Sequence, residues 1–341
     1  MRRITVSIII VNWNGERWLR KCLDSLRVQT CKDFEIILVD NSSTDGSIDF
    51  VKNNYSEVRI FHSENRGYGY ACNLGAQEAK GKFLMFFNED MYVNKDFLEK
   101  YLKEHSKIKK KNYIGTIGCA VADYDGSRII SEKMYGFGID LMAAPVPNFI
   151  KTRIFHNTGC PLFILRELFL KIDGFCENIF LYGEDIDICW RLNLYGYQHY
   201  FFQNVYIYHN CAAGAFSKRK LALYIKGEIN CILNNYSLLF LPITLIYFLF
   251  FYLFLSLIYL ILGKVVFFRT IYESLWDEFR YNFKNIMSFR KIVQSNRKVS
   301  DWSLLKKMNI IPSRLLNLVY VKNYKEYTEK GYLFQTLLKS K

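Results

Sequence analysis

Apolar residues in this chain follow two rhythms, and the switch between them lays out the elements. Short unbroken runs rich in β-branched and aromatic residues stop at polar clusters: Thr5 to Val11, Phe34 to Val39, Val58 to Phe61 and Phe83 to Phe87. Runs of this length, bounded this way, read as strands buried on both faces of a mostly parallel sheet. Between the first two, Trp18, Leu19, Cys22, Leu23 and Leu26 share one face of an amphipathic helix over Glu16 to Val28. The turn cluster Asn41 to Ser47 leads into a second helix with Asp45 placed as its cap, and Tyr70 to Ala79 reads as a third. The alternation βαβαβ predicts a doubly wound α/β sheet of nucleotide-binding type.

Further along, Tyr113 to Ala122 is another strand, turning at Asp125-Gly126 into Arg128–Ile130. Residues 132–151 form a long segment carrying Gly136, Gly138, Pro145 and Pro147. A loop of that length is usually functional, and it is expected to cover the acceptor side. Gly183 breaks the chain before a helix running to about Tyr195, and Gln198–Phe202 and Val205–Tyr208 read as two short strands.

Carboxylates recur just past the strand ends. Asp40 follows the second strand, and Glu89 and Asp90 follow the apolar run ending at Phe87. In open α/β sheets ligands bind outside the carboxyl ends of strands, so these groups are placed for a nucleotide or a divalent cation. Each has a plainer role too: Asp40 in an Asx-turn, Glu89 and Asp90 as caps of the helix that starts near Lys95. Glu184, Asp185 and Asp187 fill the first turn of a helix, where its dipole favours negative charge. Asp187 stands four residues before Arg191 and is best read as its ion-pair partner. His209 ends a strand, where structural and ligand roles both remain open. No GxxxxGK[ST] sequence occurs, which argues against a P-loop NTPase.

Composition adds two constraints. Net charge is +14, and from Lys264 onward sixteen Lys/Arg stand against six Asp/Glu. A tail this basic meets nucleic acid or an anionic membrane surface. From Ile229 to Gly263 there is no charged residue, and Leu238 to Leu262 is almost wholly apolar. As a helix it would run about 38 Å, against a hydrocarbon core of ~30 Å, which selects the membrane. Basic residues flank both ends, so a span, a re-entrant segment and an in-plane helix bent near Pro242 all remain open. Nine cysteines without a CxxC pair, several of them inside apolar segments, read as reduced buried thiols in a cytosolic setting. The run after Arg2 and Arg3 reads as a first strand, not a signal peptide.

Five pieces, in order, resemble family 2 glycosyltransferases of the GT-A fold, especially the rhamnosyltransferase-like branch of surface-glycan assembly. They are Ser7 to Asn14 (SIIIVNWN), Val39 to Ser47 (VDNSSTDGS), Asn65 to Gly75 (NRGYGYACNLG), Asn88-Glu89-Asp90, and Gly183 to Asp187 (GEDID). The resemblance runs from about Val6 to Ser217. It implies a GT-A domain over 1–217, leaving 218–236 as a linking helix, 237–268 as a membrane segment and 269–341 as a basic cytoplasmic helical tail. It also implies roles. Val11, Asn12, Asp40, Asn41, Arg66, Gly67, Asn73, Asn88 and Glu89 would line the nucleotide-sugar site. Asp90 and His209 would hold Mg²⁺ or Mn²⁺, and Asp185, beside Glu184, would be the general base. Asn88 replaces the first acid of the family's DxD pattern, and Cys176 interrupts a Gly-Phe-Asp-Glu sequence. The implied reaction is inverting transfer of a hexosyl or rhamnosyl unit to a lipid-linked glycan, at the cell membrane with the catalytic domain cytoplasmic. A GT-A-like subunit that scaffolds a glycan-assembly complex is the alternative. Nucleic acid is not expected as a partner, because it leaves the apolar stretch unexplained.

Overall fold

The computed structural model describes residues 4–127, 129–131, 154–210 and 217–305. The loop expected over 132–151, Arg128, and the tail beyond 305 lie outside the described residues. The described chain forms two compact units: 4–131, 154–180 and 184–210 make the first, and 181–183 with 217–305 the second.

In the first unit the strands are β1 (Val6–Asn12), β2 (Phe34–Asp40), β3 (Val58–His62), β4 (Phe83–Asn88), β5 (Met91–Val93), β6 (Ile114–Asp123), β7 (Ile129–Ser131), β8 (Leu162–Leu165) and β9 (Gln198–His209). Its helices are α1 (Glu16–Arg27), α2 (Ser47–Asn54), α3 (Tyr68–Glu78), α4 (Phe97–Ser106), α5 (Arg166–Lys171) and α6 (Glu184–Leu194). The sheet order is β3-β2-β1-β4-β8-β6-β9-β5, with β7 on β6. The βαβαβ part is parallel throughout, as the unbroken apolar runs required. Beyond β4 the sheet is mixed: β8 pairs antiparallel with β4 and β6, while β9 runs parallel to β6.

Alternate residues of each strand feed separate cores. Ile8, Ile10, Ile36, Leu38, Met85 and Phe87 pack on Leu19 and Leu23 of α1. Ile9, Val11, Ile37, Val39, Leu84 and Phe86 pack with Ala71, Cys72 and Ala76 of α3 and Ile188 and Leu192 of α6. Burial on both faces is what a covered parallel sheet demands. The two strands expected over 198–208 are one strand, β9, whose register against β6 slips between Cys119 and Ala120. The exposed pair Gln203-Asn204 sits at that irregularity and looked like a break in the sequence. β5 has three residues and no periodicity to announce it, yet its pairing with β9 shapes the site.

Eight described cysteines are free, and all but Cys31 are buried. Burial pushes the Cys189 thiol up to about 12. Asp187 and Arg191 form the expected pair, fully buried at 2.7 Å. Arg191 also donates to the carbonyls of Ile172 and Gly174, so each nitrogen of its planar fork makes a hydrogen bond.

The second unit is helical: α7 (Lys218–Asn235), α8 (Leu241–Ile261), α9 (Val265–Asp277), a π-helical turn over Glu278–Asn282, α10 (Phe283–Ser295) and α11 (Asp301–Leu305). Pro242 opens α8 instead of bending it, because proline at the first turn has no helical N–H to lose. The last carbonyls of α7 accept from α10 and beyond: Arg290 reaches Leu233 and Tyr236, Gln294 reaches Asn234, and Arg297 reaches Asn235. Tyr182 stacks on Tyr224 of α7 at 4.4 Å. A Cβ on Gly227 would lie 1.9 Å from the Tyr182 carbonyl oxygen, so this approach requires glycine.

Candidate active site

Parallel register brings the carboxyl ends of β1, β2, β3 and β4 to one rim: Asn12 lies opposite Asp40, Asp40 opposite His62, and Val11 opposite Asn88. The buried Asn12 amide donates to Asp40 Oδ1 (3.2 Å), Ser43 Oγ (3.0 Å) and Ser47 Oγ (2.9 Å). Asp40 Oδ2 accepts from the Ser43 N–H at 3.3 Å and lies 3.5 Å from His62 Nδ1. The local turn bond is therefore real, and it fixes this carboxylate at the mouth of the sheet. Asn41 donates its N–H to the Asn12 carbonyl at 2.8 Å and its amide to Asn65 Oδ1 at 3.1 Å. Val11 is buried in the core beneath this layer.

The second cluster forms at the end of β4. Asp90 Oδ1 sits 3.1 Å from His209 Nε2, and the Asn88 amide lies 3.4 Å from the same nitrogen. The pairing of β5 with β9 sets this geometry, since Met91 is directly opposite His209. The Cys160 thiol donates to Asn88 Oδ1 at 2.8 Å and lies 3.1 Å from the Tyr68 hydroxyl. Burial holds both the Cys160 thiol and the Tyr68 phenol well above their ordinary values, so they stay protonated. Glu89 lies along Gly15, where an added Cβ would come within 2.4 Å of its Cγ. Burial and the adjacent Asp90 charge push Glu89 up to about 7.

The third group stands at the N-terminus of α6. Asp185 Oδ2 accepts from the Gly159 N–H at 2.9 Å, and Oδ1 accepts from the Ile186 N–H at 2.8 Å. Gly159 adjoins Cys160 in the chain, so Asp185 and the Asn88–Asp90–His209 cluster are joined through one dipeptide. Glu184, one residue earlier, is buried. His156 is buried too; burial lowers its pKa, against the opposing charge of Asp185. Before Glu184, Tyr182 (φ 67°) and Gly183 (φ 110°) both take left-handed backbone, the strained turn that the glycine announced.

Arg66, Gly67 and Asn73 are deployed differently from one another. Arg66 is exposed, lies 4.0 Å over the Tyr70 ring and reaches Glu177 at 3.4 Å. Gly67, at φ 109°, lets the backbone pass against Phe180, whose carbonyl oxygen would lie 2.4 Å from a Cβ. Asn73 exchanges hydrogen bonds with the backbone of Phe175, donating at 3.0 Å and accepting at 2.8 Å. Its amide supports the turn from Gly174 to Glu177. Sequence reasoning gave no individual role to Cys160, Gly159 or Tyr68. Only the fold places the stretch Asn157-Thr-Gly-Cys-Pro161 between β4 and α6.

Among the described residues no three His, Cys, Asp or Glu side chains gather as a metal cage. Two do converge, Asp90 and His209, and Asp90 Oδ1 accepts no aligned hydrogen bond. A carboxylate oxygen and an imidazole nitrogen at one point, with phosphate oxygens completing the shell, fit a hard divalent cation.

Known proteins share parts of this sequence and its fold. Residues 7–172 match the family model "Glycosyl transferase family 2". A putative glycosyltransferase, EpsH, of Bacillus subtilis (strain 168) is 35% identical over 107 residues, 30% of this chain and 31% of that protein. A dolichyl N-acetyl-α-D-glucosaminyl phosphate 3-β-D-2,3-diacetamido-2,3-dideoxy-β-D-glucuronosyltransferase of Methanococcus voltae is 33% identical over 113 residues, 31% of this chain and 35% of its own length. The chain thus matches about a third of the length of these relatives. In fold it is similar to a mannosyltransferase, PcManGT from Pyrobaculum calidifontis, solved with GDP-Man and Mn²⁺. The TM-score is 0.53 at 15% identity, covering 86% of each chain. The stretch from residue 7 to residue 172, within an α/β unit of GT-A fold, is thus similar to family 2 glycosyltransferases.

Proposed function

We propose that the protein transfers a hexosyl or rhamnosyl unit, with inversion, from a nucleotide-sugar donor to a lipid-linked glycan at a membrane. One observation carries this reading: Asp40, the Asp90–His209 pair and Asp185 stand on one rim, tied together by Asn12, Asn88 and the Gly159-Cys160 dipeptide. The relatives that make glycans and the solved neighbour that binds GDP-Man support the donor class.

Asp40, held at the strand end, receives the base or ribose of the donor, and Asn41 and the exposed Arg66 flank the nucleotide. Asn88, Asp90 and His209 face the diphosphate. Bound there, Mg²⁺ or Mn²⁺ supplies positive charge against the negative charge that develops on the leaving group. Asp185 takes the proton of the attacking hydroxyl. Two backbone N–H donors fix its carboxylate, so it needs no reorganisation when the hydroxyl bonds to the anomeric carbon. The buried Glu184 sets the first turn from which Asp185 projects.

Asp185→Asn keeps the size of the side chain and one of its two acceptor oxygens but removes the base. It is expected to bind donor normally and to lose turnover by at least ~10²-fold, the scale of general-base catalysis. The measurement is sugar transfer, or metal-dependent donor hydrolysis, on purified protein. Turnover close to wild type would remove Asp185 from the mechanism.

A further inference from the structure

The helical unit presents an apolar surface that its own packing does not use. In α8, Thr244, Phe248, Tyr252, Leu255, Ser256 and Tyr259 are buried and form one face. The opposite face, including Ile243, Ile246, Phe250, Phe254, Leu257 and Ile261, is exposed. α8 is a 21-residue helix of mean hydropathy 2.3, long enough on paper to cross a bilayer.

Its buried face argues against crossing. The Tyr252 hydroxyl donates to Glu228 of α7 at 2.7 Å. Tyr252 lies about 15 Å from either end of α8, at the depth of a bilayer centre if the helix spans. The same short stretch of α7 carries Lys226, paired with Asp277 at 2.9 Å, and Asn230, bonded to Glu278 at 3.0 Å. The Lys226 and Asp277 side chains remain 31% and 44% exposed. A spanning α8 would pull this partly open charged layer into hydrocarbon, where each ion is costly. An α8 lying in the plane keeps the layer on the protein side and gives lipid only the apolar arc.

α9 and the turn after it carry the matching signature. Arg269, Tyr272, Trp276 and Arg280 are exposed and recur at three- and four-residue spacing, with Val265 before them and Phe283 after. The Arg280 guanidinium lies 5.4 Å over the Trp276 ring and 5.7 Å from that of Tyr281. Aromatic rings interleaved with arginines suit the headgroup layer. Residues 217–305 hold twelve Lys/Arg against five Asp/Glu, complementary to anionic lipid.

We infer that α8 is a monotopic helix: it lies in one leaflet of an anionic bilayer, apolar arc down, and does not span it. This deepens the membrane part of the proposed function and rests on it.

The test uses the full chain on vesicles of phosphatidylcholine with phosphatidylglycerol. A small fluorophore is placed, through azidophenylalanine, at position 243, 250 or 261 in turn, and quenched by lipids bearing a nitroxide near the glycerol or near the chain end. In-plane insertion gives all three sites the same preference for the shallow quencher. A deep preference at 250 with shallow ones at 243 and 261 means spanning, and overturns the inference while leaving membrane binding intact. Absence of quenching at every site overturns the membrane reading itself, and sugar transfer to a soluble acceptor then judges the enzyme separately. The double variant Phe250→Asp/Phe254→Asp, its fold checked by circular dichroism, is expected to bind vesicles at least ~10-fold more weakly. Unchanged binding in that variant, or on omission of phosphatidylglycerol, overturns the proposed surface.

Discussion

The sheet unit and the helical unit dispose of their apolar residues in opposite ways. The sheet unit buries nearly all of them: among its described residues Trp13, Val28, Tyr113 and Leu170 are the large apolar side chains left exposed. In the helical unit one row of α8 after another faces outward. Polar groups differ in emphasis. In the sheet unit Asp40, Asp90 and Asp185 gather at one rim, with the Asp187–Arg191 pair buried inside. In the helical unit the Glu228–Tyr252 and Asn230–Glu278 bonds lie in the interior, while Arg269 and Arg280 are exposed. The second arrangement leaves a large contiguous apolar surface open, which the first does not. The contrast teaches that exposure in α8 is not poor packing, because its inner face is as specific as the sheet's core.

The largest expected effect probes the sheet unit. Arg191→Met takes the guanidinium away from the fully buried Asp187 carboxylate. Breaking a buried pair from one side costs ~3–5 kcal/mol, and urea unfolding of the variant measures it. Stability within ~1 kcal/mol of wild type would mean that this interior is looser than its close packing shows.

The next probes the inner face of the helical unit. Gly227→Ala forces a Cβ onto the Tyr182 carbonyl, a backbone clash that a rotamer change does not relieve. Overpacking of this kind costs about 1–3 kcal/mol, and the midpoint of thermal unfolding is expected to fall accordingly. An unchanged midpoint would break the claim that both units are specifically packed inside.

The smallest effect compares the half-buried Glu35 with the buried Glu278. For Glu35, burial alone would raise the pKa. The Ser7 hydroxyl, the Lys80 N–H and Arg59 outweigh it and hold the carboxyl below its usual range. A depressed folded pKa stabilises above the unfolded value of ~4.3, and that stability is lost as pH falls through the folded one. Glu35→Gln is therefore destabilised at neutral pH, by ~1–2 kcal/mol, with the gap closing in acid. For Glu278, burial raises the pKa despite bonds from Asn282 and Asn230. The folded state then holds its proton more tightly, so the wild type loses stability as pH rises from ~4.3 through the raised folded value. Glu278→Gln should remove that loss, leaving the variant relatively more stable at neutral pH than in acid. Denaturation at a series of pH values should give slopes of opposite sign for the two variants. Slopes of the same sign would erase the electrostatic half of the contrast.

The positions of much of the candidate site were legible because its residues mark strand ends. Asp40 and Asp90 each follow an apolar run, and that position is written in the order of residues. Asp187 was legible as a partner because its spacing to Arg191 is helical. Asn73 was not: nothing local says that its amide is used on the Phe175 backbone, more than a hundred residues away. Cys160 was hidden for the same reason, since its thiol meets Asn88 only after β8 has paired with β4.

By itself, the amino-acid sequence determined the parallel βαβαβ half, the glycine break before Asp185 and the apolar length of α8. These follow from periodicity, backbone permission at glycine, and hydropathy, all local properties. The tertiary structure alone decided which side of α8 is buried, that β5 turns His209 onto Asp90, and that Gly159 grips Asp185. Those outcomes depend on pairing between distant segments, and a strand of three residues or one buried glutamate has no local energy large enough to reveal its partner.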